Sequence, residues 1–177
     1  MSDPRRFRPF ITSREATTPI ALKPQSTPNP WRVWTAVEAQ RFLAKSQDDT
    51  LGPFWLVIVT TGLRHGEPLG LRWEDIDLDR ATLSVRQSVV VLPAKGREKA
   101  RPVIQGPKSK AARHTIDIDR ATAAALRIHK DRQAFNRKGA AFWEDNDLVF
   151  CTGNGRILNP NNVLQSFEVI VERAGVL

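Results

Sequence analysis

The chain has 177 residues, room for one domain with a sizeable core, and its 41% hydrophobic and 26% charged content is ordinary for a globular protein. Lys and Arg number 27 against 19 Asp and Glu, a net charge of +8, which points to a polyanionic partner: nucleic acid first, an anionic membrane surface second. One cysteine, Cys151, excludes an internal disulfide, three scattered histidines supply no zinc cluster, and the longest apolar run, Phe54 to Val59, is too short to span a bilayer. No metal, cofactor or membrane partner is therefore expected, and the Arg-rich start without an apolar signal core makes the cytoplasm the expected compartment.

Residues 1–30 are rich in proline, carry Arg5, Arg6, Arg8 and Arg14, and show no helical periodicity, so they read as a basic arm or linker. The folded part is expected over 31–177. Thr35-Ala36-Val37-Glu38 is a capping-box pattern, and Val37, Phe42 and Leu43 then supply an apolar stripe to about Lys45. After Gly52 and Pro53, Phe54 to Thr61 is apolar on nearly every side, which predicts a helix buried in the core. Gly62 ends it. A second short helix is predicted from about His65 to Leu71, with Pro68 tolerable because it lies in the first turn.

From Ile76 the period changes. Thr82-Leu83-Ser84-Val85 alternates, Val89 to Leu92 is rich in β-branched residues, and Thr115-Ile116-Asp117-Ile118 alternates again. Between them, Lys95 to Arg113 is strongly basic with Pro and Gly punctuation, so the region reads as a β-hairpin or three-stranded sheet with a basic tip. A helix is predicted over 120–138, with Ala124, Leu126, Ile128 and Phe135 among its apolar positions. Leu148 to Phe150 is read as a short strand, with Cys151 beside it as a small buried residue rather than a nucleophile. Gly153 to Gly155 is a turn, and a last helix runs from Asn159 to Arg173, closed by Gly175. The class is α+β, mainly helical, with a small antiparallel sheet.

Arg64 is the first candidate for chemistry. It projects between a helix ended by Gly62 and the free amides of the next helix start, and a guanidinium there can hold two phosphate oxygens in a fork. Glu67, one turn on, can hold the Arg side chain from behind. The alternative is an Arg64–Glu67 ion pair that only staples two helices.

The seventeen residues Thr61-Gly62-Leu63-Arg64-His65-Gly66-Glu67-Pro68-Leu69-Gly70-Leu71-Arg72-Trp73-Glu74-Asp75-Ile76-Asp77 resemble the first box of tyrosine recombinases of the phage integrase family, T-G-L-R-x-G-E-x-x-x-L-x-W-x-D-I-D. Gly106-Pro107-Lys108-Ser109-Lys110-Ala111-Ala112-Arg113-His114-Thr115-Ile116 is similar to that family's P-K-T-x-x-S-x-R-x-I hairpin. Asp147-Leu148-Val149-Phe150 to Pro160 resembles its D-L-V-F segment, and Glu172-Arg173-Ala174-Gly175 its E-R-A-G closure. The resemblance implies a DNA breaking-and-rejoining catalytic fold and site-specific recombination or integration on double-stranded DNA. It also implies Arg64 and Lys108 as catalytic groups (Lys110 if the register slips by two), Glu67 as support, and Arg64, Lys108, Lys110 and Arg113 as DNA contacts. In such enzymes the lysine protonates the departing 5′-hydroxyl and a tyrosine forms a 3′-phosphotyrosyl link, without metal.

The sequence holds no tyrosine, and nothing after Gly175 matches the family's second box, H-x-L-R-H. His129-Lys130-Asp131-Arg132 has an H-x-x-R spacing but precedes the D-L-V-F segment and reads as a charged, solvent-facing helix surface. The chain is therefore expected to be the amino-terminal two-thirds of the catalytic domain, without the core-binding domain that normally completes the DNA clamp, and inactive by itself. An intact integrase or a complementary fragment is the second expected partner. The alternative functions are a non-catalytic DNA-binding module and an inert remnant of an integrase gene.

Overall fold

The computed structural model describes residues 33–96, 99–106 and 114–176. The capping box forms as expected. The Glu38 amide donates to Thr35 Oγ1 at 3.3 Å, and the Thr35 amide donates to the Glu38 carboxylate at 2.8 Å, starting α1 (Ala36–Ser46). Phe42 is buried on this helix, whereas Val37, counted in the expected stripe, faces solvent.

Helix α2 (Gly52–Thr61) carries Pro53 in its first turn and ends at Gly62, whose φ of +67° is the left-handed cap that a glycine adopts without strain. Phe54, Trp55 and Val57 are buried. Leu56 and Ile58 are only half-buried and Val59 is exposed. The expected burial on nearly every side is corrected accordingly: α1, α3 (Gly66–Gly70) and α4 (Arg120–Gly139) pack on α2 and leave its outer edge open.

Helix α3 is too short to be stable from its own hydrogen bonds and is held by close packing on strand β3 (Ser88–Leu92). A Cβ on Gly66 would collide with the Val89 carbonyl oxygen, and one on Gly70 would lie 3.0 Å from Ser88 Cα. The Gln87 side chain adds a 2.7 Å hydrogen bond to the Gly70 carbonyl.

Two separate sheets replace the single hairpin or three-stranded sheet that the alternation suggested. β1 (Ile76–Asp77), β2 (Thr82–Val85) and β5 (His114–Asp117) form an antiparallel sheet in the order β1-β2-β5, with Leu83 opposite both Ile76 and Ile116. Among the described residues β3 pairs only with β4 (Arg101–Gln105), Val90 facing Val103. β4 lies inside the stretch read as a basic tip. Its Val103 and Ile104 are half-buried, flanked by Pro102 and Gln105 within a stretch whose charges, Lys99, Arg101 and Lys108 among them, hid the strand.

α4 begins at Asp119, whose carboxylate accepts from the Thr122 amide and hydroxyl at 2.9 and 2.6 Å. Its inward face is Thr122, Ala123 and Leu126, continued by half-buried His129 and Gln133. Of the four apolar positions expected there, only Leu126 is buried; Ile128 and Phe135 are 70% and 77% exposed. Polar residues on the inner face shifted the apparent phase of the helix. Leu148 to Phe150 forms no strand but leads through isolated bridges, Arg72 with Leu148 and Cys151 with Ile157. α5 (Pro160–Ala174) is capped by Asn159 and closed by Gly175 at φ +62°, with Val163, Ile170 and Val171 buried. Trp34, Phe42, Trp55 and Phe167 form an aromatic cluster joining α1, α2 and α5, with ring centroids 5.1 to 5.8 Å apart. Residues 34–177 form one compact unit.

The contact between α3 and β3 is directly testable. Gly66→Ala should cost about 1–3 kcal/mol in urea unfolding, because the backbone of Val89 must move. Gly139→Ala, with nothing within 4 Å of the new methyl, should leave stability unchanged or slightly higher.

Candidate nucleic-acid interface

The left-handed turn at Gly62 alternates the next two side chains: Leu63 goes into the core, 5% exposed, and Arg64 goes out, its side chain 88% exposed. Glu67 sits behind it with its side chain only 13% exposed. One Glu67 oxygen accepts from the Arg64 amide at 2.7 Å and the other from Arg64 Nη1 at 3.3 Å. A single carboxylate thus ties down both ends of the arginine, and the remaining guanidinium donors face solvent. Such a donor set suits an oxyanion presented from outside. Lys108, Lys110 and Arg113 lie outside the described residues; Gly106 and His114 flank them.

The loop leaving α3 is strapped to a stretch far along the chain. The Val149 amide donates to the Leu71 carbonyl at 2.9 Å and the Trp73 amide to the Asp147 carbonyl at 3.0 Å. The Asp147 carboxylate also accepts from the Glu74 amide at 3.1 Å, with Asp147 itself at φ +53°. Two of the motifs that carry the family resemblance therefore meet edge to edge.

Behind this strap stands Gln133. Its side-chain carbonyl accepts from Trp73 Nε1 at 2.6 Å, and its Nε2 lies 3.1 Å from the carbonyls of Leu148 and Val149 and from Cys151 Sγ. Sequence reasoning missed this residue. Its one signal was its place seven residues after Leu126, on the same helical face.

His129 corrects another expectation. Rather than facing solvent, it lies between Trp73 and Phe150, at centroid distances of 6.0 and 5.2 Å. Its Nε2 is 2.7 Å from the Val149 carbonyl and its Nδ1 is 3.2 Å from Arg132 Nη2. A carbonyl only accepts and a guanidinium only donates, so the proton belongs on Nε2 and the ring is neutral. Burial holds its pKa below the ordinary histidine range; Arg132 acts in the same direction, while the Val149 hydrogen bond opposes. Arg132 itself is exposed and donates to the Thr50 carbonyl. Burial likewise lowers His65, whose Nε2 has no hydrogen-bond partner among the described residues.

Asp75 is 5% exposed, and its pKa is raised by burial against the opposing pull of Arg86, whose Nε approaches Oδ1 to 3.0 Å. Burial also pushes the half-buried Cys151 thiol up, which disfavours a thiolate nucleophile there. Among the described residues, no group of three or more His, Cys, Asp or Glu is placed to hold a metal, and no helix is long and apolar enough to cross a membrane.

No protein-family model matches the sequence. Over 133 residues, 71% of its length, the chain is 34% identical to a XerC-like tyrosine recombinase of Caldanaerobacter subterraneus subsp. tengcongensis. Over 96 residues, 54% of its length, it is 29% identical to the prophage integrase IntR of Escherichia coli. Both relatives are tyrosine recombinases or integrases, and that is the family these likenesses support for this chain. It spans 34% of the XerC-like recombinase and 21% of IntR. Its fold is similar to that of XerA recombinase, with a TM-score of 0.61 at 20% identity over 85% of this chain and 46% of that one. It is similar also to the Tn1549 transposon integrase in complex with a circular intermediate DNA, with a TM-score of 0.66 at 20% identity over 85% of this chain and 47% of that one.

The lowered histidines give the chain a pH signature. The unfolded chain takes up protons first as pH falls, so their stabilising contribution is full above about 6.5 and is lost as pH drops toward the lower native values. Thermal melts across this range should show the decline, and His129→Gln, which cannot titrate, should remove part of the slope.

Proposed function

We propose that this chain is the part of a tyrosine-recombinase catalytic domain that grips the phosphodiester of double-stranded DNA in site-specific recombination or integration. The observation that carries the proposal is the Arg64 guanidinium, exposed to solvent and backed by the half-buried Glu67 carboxylate. Arg64 would hold two oxygens of the scissile phosphate and stabilise the added charge of its pentacoordinate state. Lys108 would protonate the leaving 5′-oxygen, with Lys110 taking that place if the hairpin register slips by two, and Arg113 would add a backbone contact. The basic arm over 1–30 and the domain portion over 31–177 follow from the same reading.

The 177 residues contain no tyrosine. A phosphotyrosyl link therefore needs a hydroxyl supplied from outside them, along with the second arginine and the histidine of the family's second box. Losing one charge-assisted contact costs about 1.5–3 kcal/mol, whereas losing the nucleophile removes the covalent step altogether. By itself the chain binds and does not cut, and an intact integrase or a complementary fragment is the partner that would complete it. The missing hydroxyl also favours a second reading, a non-catalytic module that competes with an intact integrase for DNA.

Duplex binding should weaken with salt, and Arg64→Ala should flatten the log–log slope by about 0.9, the value of one phosphate contact. Glu67→Ala should lower affinity without changing the charge of Arg64, because the guanidinium loses its support. Incubation with a nicked suicide substrate should yield no covalent adduct. An adduct would overturn the assigned inactivity, and binding indifferent to salt would overturn the phosphate grip.

A further inference from the structure

We propose that the outward face of α4 is a docking surface for an acidic amphipathic helix of a separate protein chain. Phe135 and Ile128 are among the most exposed large hydrophobic residues described, and they lie two turns apart on one face of a 20-residue helix. Ala121 and Ala124 extend the same stripe toward the N-terminus at the spacing of three and four residues that a packed helix pair uses, and Asp131 occupies the seam position between Ile128 and Phe135. Beside Ile128 opens a cavity of about 340 Å³, lined by Leu43, Pro53, Leu56, Ala125 and Arg132 among others. It is large enough to receive an apolar side chain from a partner lying along α4, the arrangement of a helix laid in a groove.

The charges select the partner. α4 carries Arg120, Arg127, Lys130, Arg132, Arg137 and Lys138 against Asp131 alone. Arg120 and Arg127 each precede a stripe position by one residue and Arg132 follows Ile128 by four, the flanking positions whose charges decide pairing between helices. Asp79 already engages Arg127, and Asp145 engages Arg137, while Arg120 and Lys138 have no acidic partner among the described residues. A second copy of α4 would bring the same basic flanks together, and the amino-terminal residues 1–30 are themselves basic, so neither satisfies the surface. A helix with apolar residues on one face and Glu or Asp at its flanks does.

The test titrates the full chain against a labelled synthetic peptide of about three heptads, with Leu at the seam and Glu at the flanks, in about 0.15 M salt. Saturable binding is expected, weakened at least about tenfold by Ile128→Asp and by Phe135→Asp. Both side chains are exposed, so the thermal melts of these variants should match that of the parent chain. Arg120→Glu combined with Arg132→Glu should shift preference to the same peptide with Lys at its flanks. Three results would overturn the proposal: no binding, binding equally tight in the Asp variants, or a dimer of the parent chain that Ile128→Asp dissolves, which would assign the stripe to a second copy.

Discussion

The Val149 amide on the Leu71 carbonyl and the Trp73 amide on the Asp147 carbonyl are the contacts on which the rest of the molecule leans. They join the exit of α3 to a stretch more than seventy residues away, with Leu71, Leu148 and Val149 all buried. The Val149 amide, buried at such a depth, cannot turn to water, so leaving that bond unmade would cost about 1–3 kcal/mol. Asp147 accepts a left-handed backbone, a cost on the order of 1 kcal/mol or more for a non-glycine residue, and its carboxylate and carbonyl offset that by receiving two amides.

From that strap the support runs to the exposed arginine. α3 is pinned at its exit by the strap and along its length by the bare backbones of Gly66 and Gly70 against β3. Glu67, fixed within this short helix, then fixes Arg64. A guanidinium on a free loop would lose several rotors on binding a phosphate. Held as it is, it would lose fewer, leaving more of the interaction energy for a phosphate bound as proposed. The same economy of polar groups recurs in the interior, where Gln133 and His129 satisfy carbonyls left over by a segment that makes only bridges in place of a full strand.

Much of this was legible from residue order alone. The Thr35–Glu38 capping box, the glycine ends of α2 and α5, and the outward Arg64 backed by Glu67 each depend on neighbours within four residues. Local geometry decides such features, so local sequence carries them. β4 was not legible, because Val103 and Ile104 stand among lysines and arginines and find their partners Val90 and Val89 only across the ribbon. The face of α4 was misread for a related reason: its inward positions hold a histidine and a glutamine, which hydropathy assigns to solvent.

By itself, the order of residues determined the helix ends, the basic character, the absence of a tyrosine among these residues and the motif that places an arginine between two helices. Only the tertiary structure decided that the chain splits into two sheets at Arg86-Gln87, that His129 is an interior acceptor and donor, and that α4 turns Ile128 and Phe135 outward. The division follows the range of the forces. Caps and turns are settled within a turn of helix, whereas burial and the pairing of leftover amides are settled by whichever distant segment packs alongside.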